Sequence, residues 1–487
     1  MYRARSKRNQ RIRFLLTYTI MPVIIAGVVT ALVYYTLGYR LNTDRNTVVQ
    51  GGLVQFDSYP SGAKATIGQQ SLLWRTATSA NIESGTYVAS LQRDGYQPWQ
   101  KTVTVMPGQI LWLDYARLLP KNIKSSSLTS WSKVDSVAYA RESDVISVIN
   151  DAQKPEVTIL TNLSSGKPNI SQFKIASTAY TVPKNAQSSQ FELKEMSRDG
   201  RWITILHKYD DKTEWLAINR TQPNETRNLT MQTSLAIESL RFDPARSSRL
   251  LAQSSANLYR FDVMADAAPQ PLATSISKLH INPAGIISFL IKDPTTESSN
   301  PAYVRADNDK VIRISGSDGL PLKDIEDVLL SDYKHGDFVV LVHNNKIEIN
   351  SINIDYGKIL DSQLNEDAAK LELSGGYDQI SLSPNGRIVL IQAGSNLRTY
   401  DRDLKKLSAI TQASDSSFKL GWLDDFIIWS NLNGVVTLRE FDGENSHIVS
   451  EGIDDSMLVL SENQEYLYGL RSDQQKVDLV RFDMLVR

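Results

Sequence analysis

The sequence predicts a mostly β chain behind one N-terminal transmembrane helix, with a small β-sandwich domain first and a long array of four-stranded repeats after it. Three observations predict this. Residues 14–39 contain no charged side chain. Residues 52–119 fall into short runs of alternating polarity separated by Pro- and Gly-containing turns. From residue 122 onward a turn signature recurs with a period near that of known repeat architectures.

At 487 residues the chain suits two or three domains rather than one. Its net charge is -1, unevenly distributed. Arg3, Arg5, Lys7, Arg8, Arg11 and Arg13 stand in the first 13 residues without an acid, which leaves 47 of the 53 basic residues against all 54 acids in the remainder. A mildly acidic main body lacks the basic face that phosphate contacts require, so no nucleic-acid partner is expected. The absence of cysteine rules out disulfides, thiolate metal sites and a cysteine nucleophile.

The uncharged stretch from Phe14 to Tyr39 would span about 39 Å as a helix. That exceeds the roughly 30 Å apolar core of a bilayer. Tyr18 lies near one edge and Tyr34, Tyr35 and Tyr39 near the other, where ringed side chains with a polar end favour the interface. The six basic residues ahead of it place residues 1–13 in the cytoplasm as a basic tip. Residues 14–39 are then a signal anchor, 40–51 a linker, and the rest extracytoplasmic at the cell membrane. The stretch is longer than the apolar region of a cleaved leader and ends in bulky residues, which favours retention.

Residues 52–121 read as a small β domain. Leu53-Val54 and Phe56 open it, and Pro60-Ser61-Gly62-Ala63 sets a tight turn. Strands then follow at Ala65–Ile67, Tyr87–Leu91, Lys101–Val105 and Ile110–Leu113. The segment resembles a PEGA domain. Pro60, Ser61, Gly62 and Ala63 stand at the family's signature turn. Gly85 and Tyr87 match its G-x-Y strand entry, Gly95, Tyr96 and Pro98 its G-Y-x-P turn, and Pro107-Gly108 precedes the last strand. Ser61 replaces the signature acid. The resemblance implies an interaction or spacer module of the bacterial or archaeal envelope, without catalytic residues. Trp74, Tyr87, Tyr96, Trp99 and Trp112 are expected mainly in its core, the other reading being a binding face.

Residues 122–487 carry a repeated unit. Its clearest copies start at Ser197, Asn282 and Ser383, each followed by Gly three residues later and an apolar strand. Looser copies start at Asp243, Ser331, Leu423 and Ser461, and the weakest lies near Arg141. A second marker, L-x-x-[FY]-D, ends at Asp262, Asp401, Asp442 and Asp483. A unit of four strands cannot bury both faces alone, and radial stacking solves that. The array resembles a β-propeller of the WD-repeat or TolB-like kind, in which these acids would be turn acids after the third strand of a blade. Eight units suggest eight blades, or seven if the first and last segments complete one blade together.

No catalytic motif stands out. His207, His280, His335, His343 and His447 fall in different units without metal-ligand spacing, and are expected at the surface or at strand ends. Neither a nucleophile elbow nor a phosphate loop is present. No enzyme activity, cofactor or metal is therefore expected. The sequence points to a membrane-anchored binding or scaffold protein of the cell envelope. Its bilayer contact is residues 14–39, its partner another envelope protein or a surface or cell-wall polymer. The alternative is a propeller enzyme acting on envelope glycans or peptides through two facing carboxylates.

Overall fold

The computed structural model describes residues 7–36, 39–42, 47–140, 143–184, 189–265, 269–306, 308–333, 336–344, 346–360, 369–372, 376–394, 396–411, 419–454, 457–473 and 475–486. Arg3, Arg5, Arg141 and His335 lie outside these residues. The chain divides into two compact units, residues 1–122 with 486–487, and residues 123–485.

The first unit begins with helix α1 (Lys7–Thr36), which contains Pro22. Its apolar stretch Leu16–Tyr34 is long enough to cross a membrane, and none of that stretch is buried in the protein. The uncharged run was expected to stay helical to Tyr39. Instead Tyr39 opens β1 (Tyr39–Asn42), which pairs with the start of β2 (Thr47–Tyr59), Tyr39 opposite Gln50. Much of the expected linker is thus a hairpin, because the β-branched run Thr47-Val48-Val49 favours a ladder over free coil.

Two sheets follow. One places β2 between β5 (Thr78–Glu83) and β8 (Ile110–Arg117), the latter in parallel. The other has the order β4-β3-β6-β7, built from β3 (Lys64–Ile67), β4 (Gln70–Arg75), β6 (Gly85–Gln92) and β7 (Trp99–Val105). Strict alternation along β7 buries Trp99, Val103 and Val105, which join Phe56, Ile67, Leu91 and Leu113 in the core. Lys101 also points inward, its ammonium 4.9 Å from the centroid of Tyr115.

The second unit opens with β9 (Ser125–Trp131). Seven four-stranded antiparallel meanders follow in chain order, their first strands beginning at Ser136, Gln190, Ser239, Ile276, Asp327, Gln379 and Lys419. The fifth carries one extra paired segment, Ala369–Glu372. Leu458–Leu460, Tyr466–Ser472 and Val477–Asp483 form an eighth sheet, which β9 completes by pairing with Val477–Asp483. Among the described residues there are eight blades, and the first and last segments do share one. The expected alternative of seven counted that shared blade as a lost one.

Successive blades bury their faces against each other. One apolar cluster joins blades one and two through Ile149, Phe191, Ile203 and Leu216. Others join two to three, three to four, four to five and five to six. Ile146, Leu160, Tyr466 and Tyr468 join the eighth back to the first, closing the ring. Blade strands are accordingly apolar on both faces, as in Val145–Ile149, where all five residues are buried.

Candidate functional site

The repeated turn has a physical origin. Ser197 Oγ donates to Asp199 Oδ1 at 2.7 Å and accepts from Trp202 N at 2.9 Å, while Gly200 N donates to Ser197 O at 2.8 Å. Ser383 repeats the pattern with Asn385, Ile388 and Gly386, and Ser461 with Asn463, Tyr466 and Gln464. Asn282 uses its side-chain oxygen on Ile286 N. Each turn needs a short polar side chain first and a left-handed residue fourth, supplied by Gly200 at φ 67° and Gly386 at φ 76°.

The blade acids sit differently from one another. Asp262, Asp401 and Asp483 each close their strand opposite the first residue of the second strand, Arg249, Ile388 and Tyr466 respectively. Asp401 is buried and receives Arg387 Nε at 2.9 Å and Nη2 at 2.7 Å. Asp262 accepts from Ser248 Oγ at 2.6 Å, and Asp483 pairs with Arg481 at 3.0 Å. Asp442 lies two residues past its strand, and the buried Glu440 stands opposite Ile427 in its place. These acids brace blades.

Pro60, Ser61, Gly62 and Ala63 form the turn between β2 and β3. Gly62 N donates to Thr76 O at 3.0 Å, and Ala63 is fully buried. Gly85 opens β6, on which Tyr87 is half-buried. Gly95 takes φ 84°, Tyr96 is buried beneath Arg93, and Pro98 is exposed just before β7. Trp99 joins Tyr96 in the core, whereas Trp74 is 72% exposed and Trp112 45%.

The histidines depart from the surface expectation in one case. His207 is fully buried in the second strand of blade two, stacked on Phe191 with centroids 4.3 Å apart. Its Nδ1 lies 2.8 Å from Glu214 Oε1 and its Nε2 2.7 Å from Ser189 Oγ. Glu214 also accepts from Thr181 N (2.7 Å), Thr181 Oγ1 (2.9 Å) and Asn228 Nδ2 (2.8 Å). Burial pushes the Glu214 carboxyl up, but the hydrogen bonds from His207, Asn228 and Thr181 outweigh it and hold its pKa at about 2. His280 Nε2 lies 2.7 Å from Asp327, His343 is near Glu348, and burial lowers the His447 pKa.

Ser189 opens onto a recess of about 480 Å³ between the ends of blades one and two, with Ile175, Ala176, Val182 and Phe191 on its walls. A second recess of about 430 Å³, also bounded by Phe191, has Lys133, Asp135, Glu192 and Lys208 on its rim. Lys133 bridges Asp135 at 2.9 Å and Asp151 at 3.1 Å, and the latter pairing holds the Asp151 carboxyl below its ordinary range. An apolar pit beside a charged rim can take a ligand with one greasy and one polar end. Two carboxylates, Asp424 and Glu462, share a further recess. Asp424 is committed to its own turn through Phe426 N and Ile427 N.

The Ser189–His207–Glu214 line was beyond the reach of sequence spacing, because its members come from a blade-to-blade connection and two strands. Among the described residues no three His, Asp or Glu side chains gather as a metal set.

Eight radial four-stranded sheets closed by a strand from ahead of the first define a β-propeller, here following a two-sheet module, an architecture of the binding or scaffold type. Residues 52–119 match the PEGA domain family. No curated protein matches the chain. Among solved structures it is similar to the Dos1 propeller, at 12% identity over 74% of this chain and 95% of that one, TM-score 0.46. It is also similar to Saccharomyces cerevisiae Sqt1, at 13% identity over 75% and 98%, TM-score 0.45. A third is Kluyveromyces lactis Hsv2, at 8% identity over 63% and 93%, TM-score 0.40. The propeller assignment rests on the strand order itself.

Proposed function

We propose that the protein is a membrane-anchored, extracytoplasmic binding scaffold of the cell envelope. In this reading α1 is the anchor, the PEGA domain a spacer, and the propeller a platform for another envelope protein or a surface polymer. The observation that carries it is the pairing, in one chain, of an unburied 19-residue apolar span with a propeller whose recesses combine apolar walls and charged rims. The native chain has no cysteine, so single cysteines report cleanly. On intact cells a membrane-impermeant maleimide is expected to label Val182→Cys and to spare Arg8→Cys; the reverse pattern overturns the topology. A photocrosslinker at Val182 is expected to yield one dominant adduct with an envelope component, absent from the same probe at Ile448. Equal or absent adducts would remove the recess from the binding platform.

A second reading is favoured by one observation, the Ser189–His207–Glu214 line beside an apolar recess. It is hydrolysis of an acyl bond, with Ser189 Oγ attacking the acyl carbon as its proton passes to His207 Nε2 and on to the leaving group. Water then releases the acyl group. Ser189 is 6% exposed and His207 not at all, which favours a structural role. A fluorophosphonate that labels the native protein but not Ser189→Ala would establish the hydrolase, and no labelling would retire it.

A further inference from the structure

The end of β7, the turn after it and the start of β8 are uncharged from Thr102 to Leu113 and present large apolar side chains outward. Met106 is 53% exposed, Ile110 51% and Trp112 45%. Isolated exposed apolar residues are ordinary, but one on a short turn and two on the first residues of the strand that leaves it, in a 68-residue module, mark a contact. A chain of contacts leads from α1 to this turn. The rings of Tyr34, in the last turns of α1, and Tyr39 meet edge to face, 5.1 Å between centroids. Tyr39 stands opposite Gln50 in the β1–β2 ladder. The next residue, Gly51, accepts from Gly108 N at 2.9 Å, and Leu53 N donates to Gln109 O at 2.9 Å. A side chain on Gly52 would strike Met106 O at 2.5 Å, so the glycine lets the turn lie flat on β2. With strands about 4.8 Å apart and residues about 3.3 Å apart along them, the turn lies on the order of 10–15 Å from Tyr39.

The charges of the same unit separate along its strands. Lys64, Arg75, Arg93, Asp94 and Arg117 gather at the opposite end, where Lys64 pairs with Gln92 and Arg75. Near the Met106 turn the paired strand ends contribute Glu83, opposite Gly51, and Arg40, opposite Val49. Leu73 and Trp74, 87% and 72% exposed, lie next to Arg75 at the charged end, so what singles out the Met106 turn is its freedom from charge together with its place beside the apolar helix, the combination a bilayer surface selects.

We propose that the Met106–Ile110 turn, with Trp112 behind it, sits in the headgroup layer of the membrane that α1 enters. The inference rests on reading α1 as a membrane span. It gives the PEGA domain a lipid contact of its own, one that fixes the tilt of the domain at the surface.

The test uses the full chain in phosphatidylcholine–phosphatidylglycerol vesicles, with and without a brominated lipid. Single cysteines at Val28, Met106, Ile110 and Asp94 carry an environment-sensitive fluorophore. Blue-shifted emission and loss of fluorescence to bromolipid at Val28→Cys, Met106→Cys and Ile110→Cys, with neither at Asp94→Cys, is the expected result. Quenching at Val28 alone overturns the lipid contact and leaves the anchor standing. No quenching at Val28 overturns both. A blue shift at 106 and 110 without bromolipid quenching means that protein, such as a second copy, covers the turn, and overturns the lipid assignment. Using two turn positions guards against a local distortion at either one.

Discussion

Asp401→Ala is expected to destabilise the propeller by roughly 3–5 kcal/mol, because it leaves the Arg387 guanidinium buried without its bidentate partner. Arg387 and Asp401 are 5% and 1% exposed at the side chain, so water cannot replace the lost contact. Asp401 also accepts from Asp403 N and Leu404 N, and the turn after the strand should loosen with it. Chemical denaturation of the full chain measures the loss. The double variant Arg387→Met, Asp401→Leu is expected to recover most of it, since an apolar pair removes the stranded charge. A single variant within about 0.5 kcal/mol of the parent would show that this acid is not a brace.

Glu214→Gln is expected to have a comparable effect, with a pH dependence that identifies its cause. The folded-state pKa of about 2 lies below the ordinary 4.5. A depressed carboxyl contributes stability that is fully present above 4.5 and is lost as pH falls through about 2. The shift corresponds to roughly 3 kcal/mol at neutral pH. The stability gap between the parent and Glu214→Gln should therefore be widest at pH 6–7 and shrink steadily towards pH 2. A gap independent of pH would mean that the amide fails for reasons of shape rather than charge. Because Glu214 holds Thr181 by backbone and side chain, hydrogen exchange in the connection between blades one and two should rise in the same variant.

Much of the architecture was legible because it is enforced locally. The first turn of each blade needs a capping side chain at Ser197, Ser383 or Ser461 and a left-handed residue three positions on, so the repeat was visible even where the strands had diverged. The PEGA turns were legible for the same reason, Gly62 and Gly95 both having positive φ. What escaped was set by pairing rather than by pattern. β4 buries only Leu72 of its six residues and shows no alternation. The β1–β2 hairpin depends on a register between Tyr39–Asn42 and Thr47–Gln50. Asp442 satisfied the L-x-x-[FY]-D spacing, but a two-residue slip gave its place to Glu440. The His207 cluster escaped altogether, since its three members meet only once blade two has formed and the preceding connection has docked on it.

The completion of the eighth blade by β9 has a consequence in time. Ser127 pairs with Val480, so the two sides of this ladder are made at opposite ends of the unit's synthesis. Joining them closes a loop of roughly 350 residues, an entropic cost of about 5 kcal/mol by the logarithmic law. Until Val477–Asp483 leaves the ribosome, β9 has no partner and the growing stack has two open edges, each a template for wrong pairing. The seam is therefore expected to be the last joint to set, and beside it the hydrogen bond from the Glu462 amide to Asp144 ties the eighth blade to the first. A chain built this way is expected to stay exposed to mispairing until its closing strand is made, and to gain its resistance to unravelling late.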